Sequence, residues 1–216
     1  MFLQFIKTIG KLKPKIAIAE NVAGILRGSA KGHVAEILRE LNRIGYETQI
    51  FLLNAATMGV PQARERVFFI SNNIKAPKLS LAFNEPPIPF SKIKSKTPGR
   101  RIKPDSVIEQ LWSNKKYGDR NLSEACKRLR GKDSFFNHGL LYDDKVVPTI
   151  TAQGRKDHTR FDMPNYISDE EIILAQTFPQ DFDFCGADVC YVCGMSVPPV
   201  MMARISGAVH EQWLSA

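Results

Sequence analysis

Apolar residues near the start of the chain recur first with a helical period and then in short runs. Phe2, Phe5, Ile6, Ile9 and Leu12 share one helical face, and Pro14 leads into Ile16-Ala17-Ile18-Ala19, a run suited to a buried parallel strand. Val34, Ile37, Leu38, Leu41 and Ile44 line a second helix, with Gly45 placed as its stop. Thr48 to Leu53 and Val67 to Ile70 read as further strands. Such alternation is the grammar of a doubly wound α/β domain. A complete sheet of that kind has about five or more strands. This stretch offers fewer and opens on a helix, so it reads as the second half of a sheet. A helix followed at once by a buried-type strand is expected to pack on that sheet rather than lie on a membrane.

From Asn73 the pattern changes. Pro77, Pro86, Pro87, Pro89, Pro98 and Pro104 fall among scattered Lys and Arg with weak periodicity, which predicts an irregular, smaller domain. Regular structure returns at Ser168-Asp169-Glu170-Glu171, a capping box ahead of Ile172, Ile173, Leu174 and Phe178. A last helix is predicted from Pro198-Pro199, carrying Met202, Ile205, Val209 and Trp213. The expected division is therefore 1–72, 73–165 and 166–216.

With 216 residues, 44% of them apolar, the chain can build a real core. No run approaches the roughly 18 to 20 apolar residues of a membrane span, and the N-terminus lacks the features of a secretion signal. A cytoplasmic chain with reduced thiols and no membrane partner is expected. The net charge of +8 is unevenly placed. Between Lys75 and Arg130 stand 14 Lys and Arg against 5 Asp and Glu, a surplus of nine, whereas Phe161 to Ala203 holds seven acids and no Lys or Arg. A basic segment beside an acidic one predicts that the basic part meets a polyanion, with nucleic acid the foremost candidate.

Two short motifs carry candidate chemistry. Glu20-Asn21-Val22 stands at the carboxyl end of the first strand, where open α/β sheets place ligands. Gln62-x-Arg64-x-Arg66 follows Gly59-Val60-Pro61 and enters the strand Val67 to Ile70. Alternate residues of an extended segment share a face, so both guanidiniums are expected to point into one site. These motifs, with Leu53-Asn54-Ala55, Pro148-Thr149-Ile150-Thr151-Ala152, Gln176-Thr177-Phe178-Pro179 and Gly194-Met195-Ser196-Val197-Pro198-Pro199, occur in an order and spacing that resembles the DNA cytosine-5 methyltransferases. Only Lys75 to Val147 lacks the family's signals, as a variable DNA-reading region would.

The resemblance implies the second half of a Rossmann-like methyltransferase domain (1–72), a basic target-recognition domain (73–165) and C-terminal helices returning to the catalytic domain (166–216). It implies methyl transfer from S-adenosyl-L-methionine to cytosine C5 in double-stranded DNA, with the base flipped out of the duplex, in a restriction-modification setting. Glu20 would hydrogen-bond N3 and the exocyclic amine through a protonated carboxyl or a shared proton. Arg66 would bind O2 and hold Glu20, with Arg64 also in the catalytic set. Asn21 and Gln62 would order the site, Met195 and Ser196 would face the cofactor, and Lys92, Lys94, Arg100, Arg101, Thr149 and Thr151 would meet DNA. The sequence departs from the family at several points. The Gly-rich cofactor loop and the Pro-Cys segment with the nucleophile are not in this chain, Met195 stands where Asn is usual, and Thr57-Met58 replaces an Asp-aromatic pair. The expectation is a chain that does not methylate DNA alone and that either pairs with an N-terminal methyltransferase fragment or is a truncated product. A non-catalytic DNA-binding module is the alternative.

Cys185-x4-Cys190-x2-Cys193 has the spacing of an iron–sulfur or zinc site, with Cys126 or His210 as a distant fourth ligand. Because Cys193 abuts Gly194-Met195-Ser196, buried thiols and no metal are the expectation.

Overall fold

The structure, a computed structural model, describes residues 2–28, 31–132, 138–152 and 158–215. Helix α1 (Phe2–Leu12) buries Ile6 and Ile9 and stops where Lys13 adopts a left-handed φ of 49° and its N–H returns to the Ile9 carbonyl at 2.7 Å. Helix α2 (Lys31–Arg43) is closed by Gly45, whose φ of 90° suits glycine; the next N–H, from Tyr46, donates to Leu41 at 3.0 Å. Strands β1 (Ile16–Val22), β2 (Glu47–Asn54) and β3 (Glu65–Asn72) form one sheet in the order β1-β3-β2, with β3 antiparallel to both neighbours. The run from Ile16 to Ala19 is thus a strand, and among the described residues its partner, β3, is antiparallel. β1 and β2 run the same way, and β3 lies between them. An apolar run reports burial on two faces and carries no information about a neighbour's direction.

Tertiary contacts group 1–54, 65–83 and 203–216 in one unit and 55–64 with 84–202 in another. In the first unit Ala17, Val67 and Phe69 face Ile6, Ile9, Ile37 and Leu41 of α1 and α2, and the Phe2 ring meets Phe69 edge-on at 5.0 Å. Central strand β3 is buried from Val67 to Asn72. Ile16 and Ile18 line a cleft of about 640 Å³ with Val209 and other residues of helix α7 (Pro199–Trp213) and with Leu214 just beyond its end. Trp213 Nε1 donates to the Pro77 carbonyl at 2.8 Å, and the Gln212 amide makes two bonds to the backbone of Ser80.

The second unit is less regular, as its proline content predicts. Helices α3 (Val107–Ser113) and α4 (Leu122–Arg130) start on Ser106 and Asn121 caps, and α4 ends at left-handed Gly131. They enclose Leu111, Leu122, Cys126, Leu140 and Tyr142. Short strands β4 (Gly139–Leu141) and β5 (His158–Arg160) pair in parallel. A second cluster joins Phe90, Val147, Ile150 and Ile167 to α5 (Asp169–Ala175) and α6 (Val189–Met195). The predicted capping box is present: Ser168 Oγ accepts from Glu171 N–H and Glu171 Oε2 accepts from Ser168 N–H. Residues 189–213 are long and apolar enough to cross a membrane by length and composition alone. They are nevertheless broken between α6 and α7, and Cys193, Met201, Ile205, Val209 and Trp213 are buried.

The irregular segment before α3 is held by an ion pair. Arg160 and Glu171, 1% and 0% exposed, meet at 2.5 Å. Arg160 also donates to the Ser95 carbonyl at 2.9 Å, and Glu171 accepts from Ser95 N–H at 3.2 Å. Removing one member of such a pair leaves an uncompensated buried charge, at a cost of about 3–5 kcal/mol. Arg160→Met should therefore lower the urea-unfolding free energy of the second unit by about that amount. A loss under about 1 kcal/mol, the range of exposed pairs, would show that the pair contributes little.

Candidate functional site

The two motifs of interest occupy different local settings. The turn before β3 is shaped by Gly59, with a φ of 79°, and by Ala55 N–H, which donates to the Arg64 carbonyl at 3.0 Å. Beyond it, Ala63 N–H donates to Val147 and Val147 N–H to Pro61, so 61–63 lies alongside 147. Gln62 is fully buried there. Its Oε1 accepts from Ile150 N–H at 3.1 Å and its Nε2 donates to the Ala175 carbonyl at 3.4 Å. Arg64, 1% exposed, donates from Nη1 to the Ile150 carbonyl at 2.9 Å and from Nη2 to the Gly194 carbonyl at 2.8 Å. Thr149 Oγ1 donates to the Ala63 carbonyl at 2.6 Å. Gly194 itself has no room for a side chain, since a Cβ would sit 2.3 Å from the Ala152 nitrogen and the Thr151 carbonyl carbon. Segments 61–64, 147–152 and 193–194 are thereby fastened to one another.

Arg66 behaves differently. On the antiparallel register Val22 faces Arg66 and Glu20 faces Phe68, so Glu20 and Arg66 are diagonal neighbours on one face, within reach of long side chains. Arg66 Nε meets Glu20 Oε1 at 2.7 Å, and Arg66 Nη1 donates to the Glu65 carbonyl at 2.7 Å. Asn21 Oδ1 accepts from Val22 N–H at 2.8 Å where β1 leaves the sheet. The two guanidiniums engage different groups: Arg64 the Ile150 and Gly194 carbonyls, Arg66 the Glu20 carboxylate and the Glu65 carbonyl. Period-two alternation holds only inside a strand, and β3 begins at Glu65, after Arg64.

Ser196 caps α6, with its hydroxyl donating to the Val192 carbonyl at 2.6 Å, and Met195 beside it is exposed. Among the residues expected to meet DNA, Lys92, Arg100, Arg101 and Thr151 are exposed. Lys94 is held by two carboxylates, Asp143 and Asp162, each at 2.8 Å. Burial works to lower its pKa, but the hydrogen bonds to both aspartates more than reverse this and raise it. The Arg100 guanidinium lies 5.4 Å from the centre of the Tyr166 ring. Lys103, Arg120, His138 and His158, not picked out from sequence, line clefts with these residues. They come from separate segments, and no spacing along the chain could have grouped them.

Cys126, Cys190 and Cys193 are buried and Cys185 is exposed. Among the described residues no three His, Cys, Asp or Glu side chains gather as a metal site. Burial, aided by neighbouring Cys190, pushes the Cys193 thiol up to about 12, so it stays protonated across the physiological range. Maleimide at about pH 8 should modify Cys185 in the folded chain and reach the three buried thiols only after denaturation, because the thiolate is the reactive form. Peptide mapping checks this, and rapid native-state labelling of Cys193 would contradict it.

With this geometry in view, comparison with known proteins is decisive for the family. The sequence model of C-5 cytosine-specific DNA methylases matches residues 1–211, and the chain belongs to that family. It is similar to the type II methyltransferase M1.HphI of Haemophilus parahaemolyticus, 26% identical over 97% of this chain and 60% of the relative. It is also similar to the type II methyltransferase M.BsuRI of Bacillus subtilis, 29% identical over 85% of this chain and 44% of that relative. Among solved structures, a DNA modification methyltransferase described as encoded within an Escherichia coli prophage superposes with a TM-score of 0.68 at 19% identity, covering 97% of this chain and 73% of that one. The α/β methyltransferase fold is therefore shared. The chain spans about 60% of the length of the first of these relatives.

Proposed function

We propose that this chain is the C-terminal portion of a DNA cytosine-5 methyltransferase of a restriction-modification system. In this reading it supplies base-binding and DNA-recognition residues and works with an N-terminal portion, on the same or a second polypeptide, that carries the nucleophilic cysteine and the S-adenosyl-L-methionine loop. The observation that supports it most is the Glu20–Arg66 pair at the carboxyl end of β1. When a thiolate adds to cytosine C6, negative charge develops toward N3 and O2. A guanidinium already fixed at 2.7 Å from a carboxylate is a preorganised donor for that charge, and the carboxyl group can bond N3 and the exocyclic amine. Arg64 and Gln62 are then positioning residues, since their polar ends bond backbone carbonyls and an amide. Lys94 has a structural role, bracing two aspartates.

The cofactor set is incomplete in these residues. The Ser196 hydroxyl is engaged with Val192 and Met195 is an exposed thioether, so the two do not by themselves make a cradle for S-adenosyl-L-methionine. The donor is assigned to the complementing portion, and none of the chemistry above runs through it. The open edge of β1, with apolar Ile16 and Ile18 over the cleft beside α7, suits the arrival of another strand. The 216-residue chain alone is expected to be catalytically silent.

Reconstitution with a fragment carrying the missing segments tests this reading through methyl transfer to duplex DNA. The Glu20–Arg66 pair is partly solvent-exposed, so Arg66→Ala should cost no more than about 1 kcal/mol of stability. Its loss from the site should slow methyl transfer about a hundred- to thousandfold, the effect of removing one preorganised donor. Glu20→Gln should also slow turnover while DNA affinity is kept. Full turnover by both variants in an active complex would refute the assignment.

A further inference from the structure

We propose that the free edge of β1 pairs with the same edge of a second copy of this chain, giving a closed two-fold dimer centred on Ile18. The dimer occupies the edge on which the reading above seats another strand, so the two arrangements exclude each other. Only that exclusion rests on the catalytic reading; the pairing itself follows from the backbone.

The register decides which backbone groups of β1 are free. Asn73 N–H donates to the Lys15 carbonyl at 3.2 Å, one step beyond the Ile16–Asn72 pair, so Lys15 belongs to a hydrogen-bonded rung. In an antiparallel ladder such rungs alternate with rungs whose N–H and C=O point away from the partner. Residues 17, 19 and 21 therefore turn these groups toward β3, and Ile16, Ile18, Glu20 and Val22 turn theirs outward. Val22 shows the same phase, because its N–H is taken by Asn21 Oδ1 at 2.8 Å although its register partner is Arg66. Among the described residues β3 is the one strand beside β1, so the outward groups of Ile16, Ile18 and Glu20 meet no other strand. That set is symmetric about Ile18.

An antiparallel second copy satisfies the whole set. Ile18 of one copy then lies opposite Ile18 of the other, and Ile16 opposite Glu20 on either side, each pair exchanging two hydrogen bonds. Ala17 falls opposite Ala19 and Lys15 opposite Asn21, so no like charges face one another. Parallel pairing in register would set Glu20 beside Glu20 and Lys15 beside Lys15, which is unfavourable. The run from Ile16 to Ala19 carries none of the charges or prolines that blunt an edge, and its β-branched side chains suit cross-strand contact. Ile16 and Ile18 also line the cleft with Val209 and Leu214, the latter 41% exposed, so the meeting strands bring apolar side chains together as well as backbone. The other outer strand is different. β2 begins at Glu47, and Gln49 exchanges bonds of 2.8 and 3.1 Å with the Leu79 backbone, which lays a segment of the same chain against it. A single self-complementary edge gives a closed pair and not a filament.

Cross-linking of the full chain tests the register. In a Cys185→Ser background, Ile18→Cys should be joined to its copy by a short bismaleimide, because a hydrogen-bonded cross-strand pair holds its Cα atoms about 5.5 Å apart. Ile16→Cys should stay unjoined, since position 16 lies four residues along the strands from its own copy, roughly 13 Å. Sedimentation velocity should show the wild type as a dimer and Ile18→Lys as a monomer, with two like charges then directly opposed. Addition of the N-terminal methyltransferase fragment should abolish the cross-link at position 18. A monomeric wild type, or cross-linking at 16 as strong as at 18, would overturn the dimer. A dimer that persists within a complex active in methyl transfer would overturn the exclusion. A fragment that restores no methyl transfer would tell against the catalytic reading alone, and the cross-link at position 18 would still support the dimer.

Discussion

A guanidinium placed where water cannot reach it sets the terms for the second unit. Arg64 offers five N–H donors and no acceptor, so burial is tolerable only where carbonyls converge on it. Those carbonyls belong to Ile150 and Gly194, 86 and 130 positions along the chain. Meeting them draws together three segments that have no local reason to adjoin. Two further constraints follow. Position 194 must lack a side chain to let the Thr151–Ala152 backbone approach, and Gln62 must supply both a donor and an acceptor to close the remaining backbone groups. A buried cation of this kind contributes specificity of arrangement more than net stability, because its desolvation offsets much of what its bonds return.

Arg66, two residues on, works under other rules. It is partly exposed to water, and its pair with Glu20 is worth little as a stabilising contact. In the proposed reading its value would lie in orientation, for a charge already aimed leaves little reorganisation for the reacting state. One five-residue motif thus divides its contacts. The buried residues fasten backbone segments to one another, and in the proposed reading the last arginine faces the base. The family assignment fits this division, and the position of the pair at a strand's carboxyl end fits the general placement of ligands in α/β sheets.

Much of this was legible in the sequence, for identifiable reasons. The helical faces of α1 and α2, the Gly45 stop and the Ser168–Glu171 capping box were readable because each is set by residues within a few positions of one another. Strand positions were readable from apolar runs, but the antiparallel insertion of β3 between β1 and β2 was not, since pairing direction depends on how the chain returns. The different hydrogen-bond partners of Arg64 and Arg66 were hidden by applying strand alternation one residue too far, since β3 begins at Glu65. Charge counting located the basic segment yet could not tell Lys94, neutralised by Asp143 and Asp162, from Arg100 or Arg120. Charge pairs and clefts assembled from distant segments exist only after folding.

The central claim is that Arg64 fastens separated motif segments as one structural element. Amide hydrogen exchange of Arg64→Met, compared with wild type, tests it most directly, since exchange resolves local opening segment by segment. Protection should fall together in 61–64, 147–152 and 189–195, while the β1-β3-β2 ladder keeps its wild-type protection. Loss confined to the residues flanking position 64, with 147–152 and 189–195 unchanged, would contradict the account.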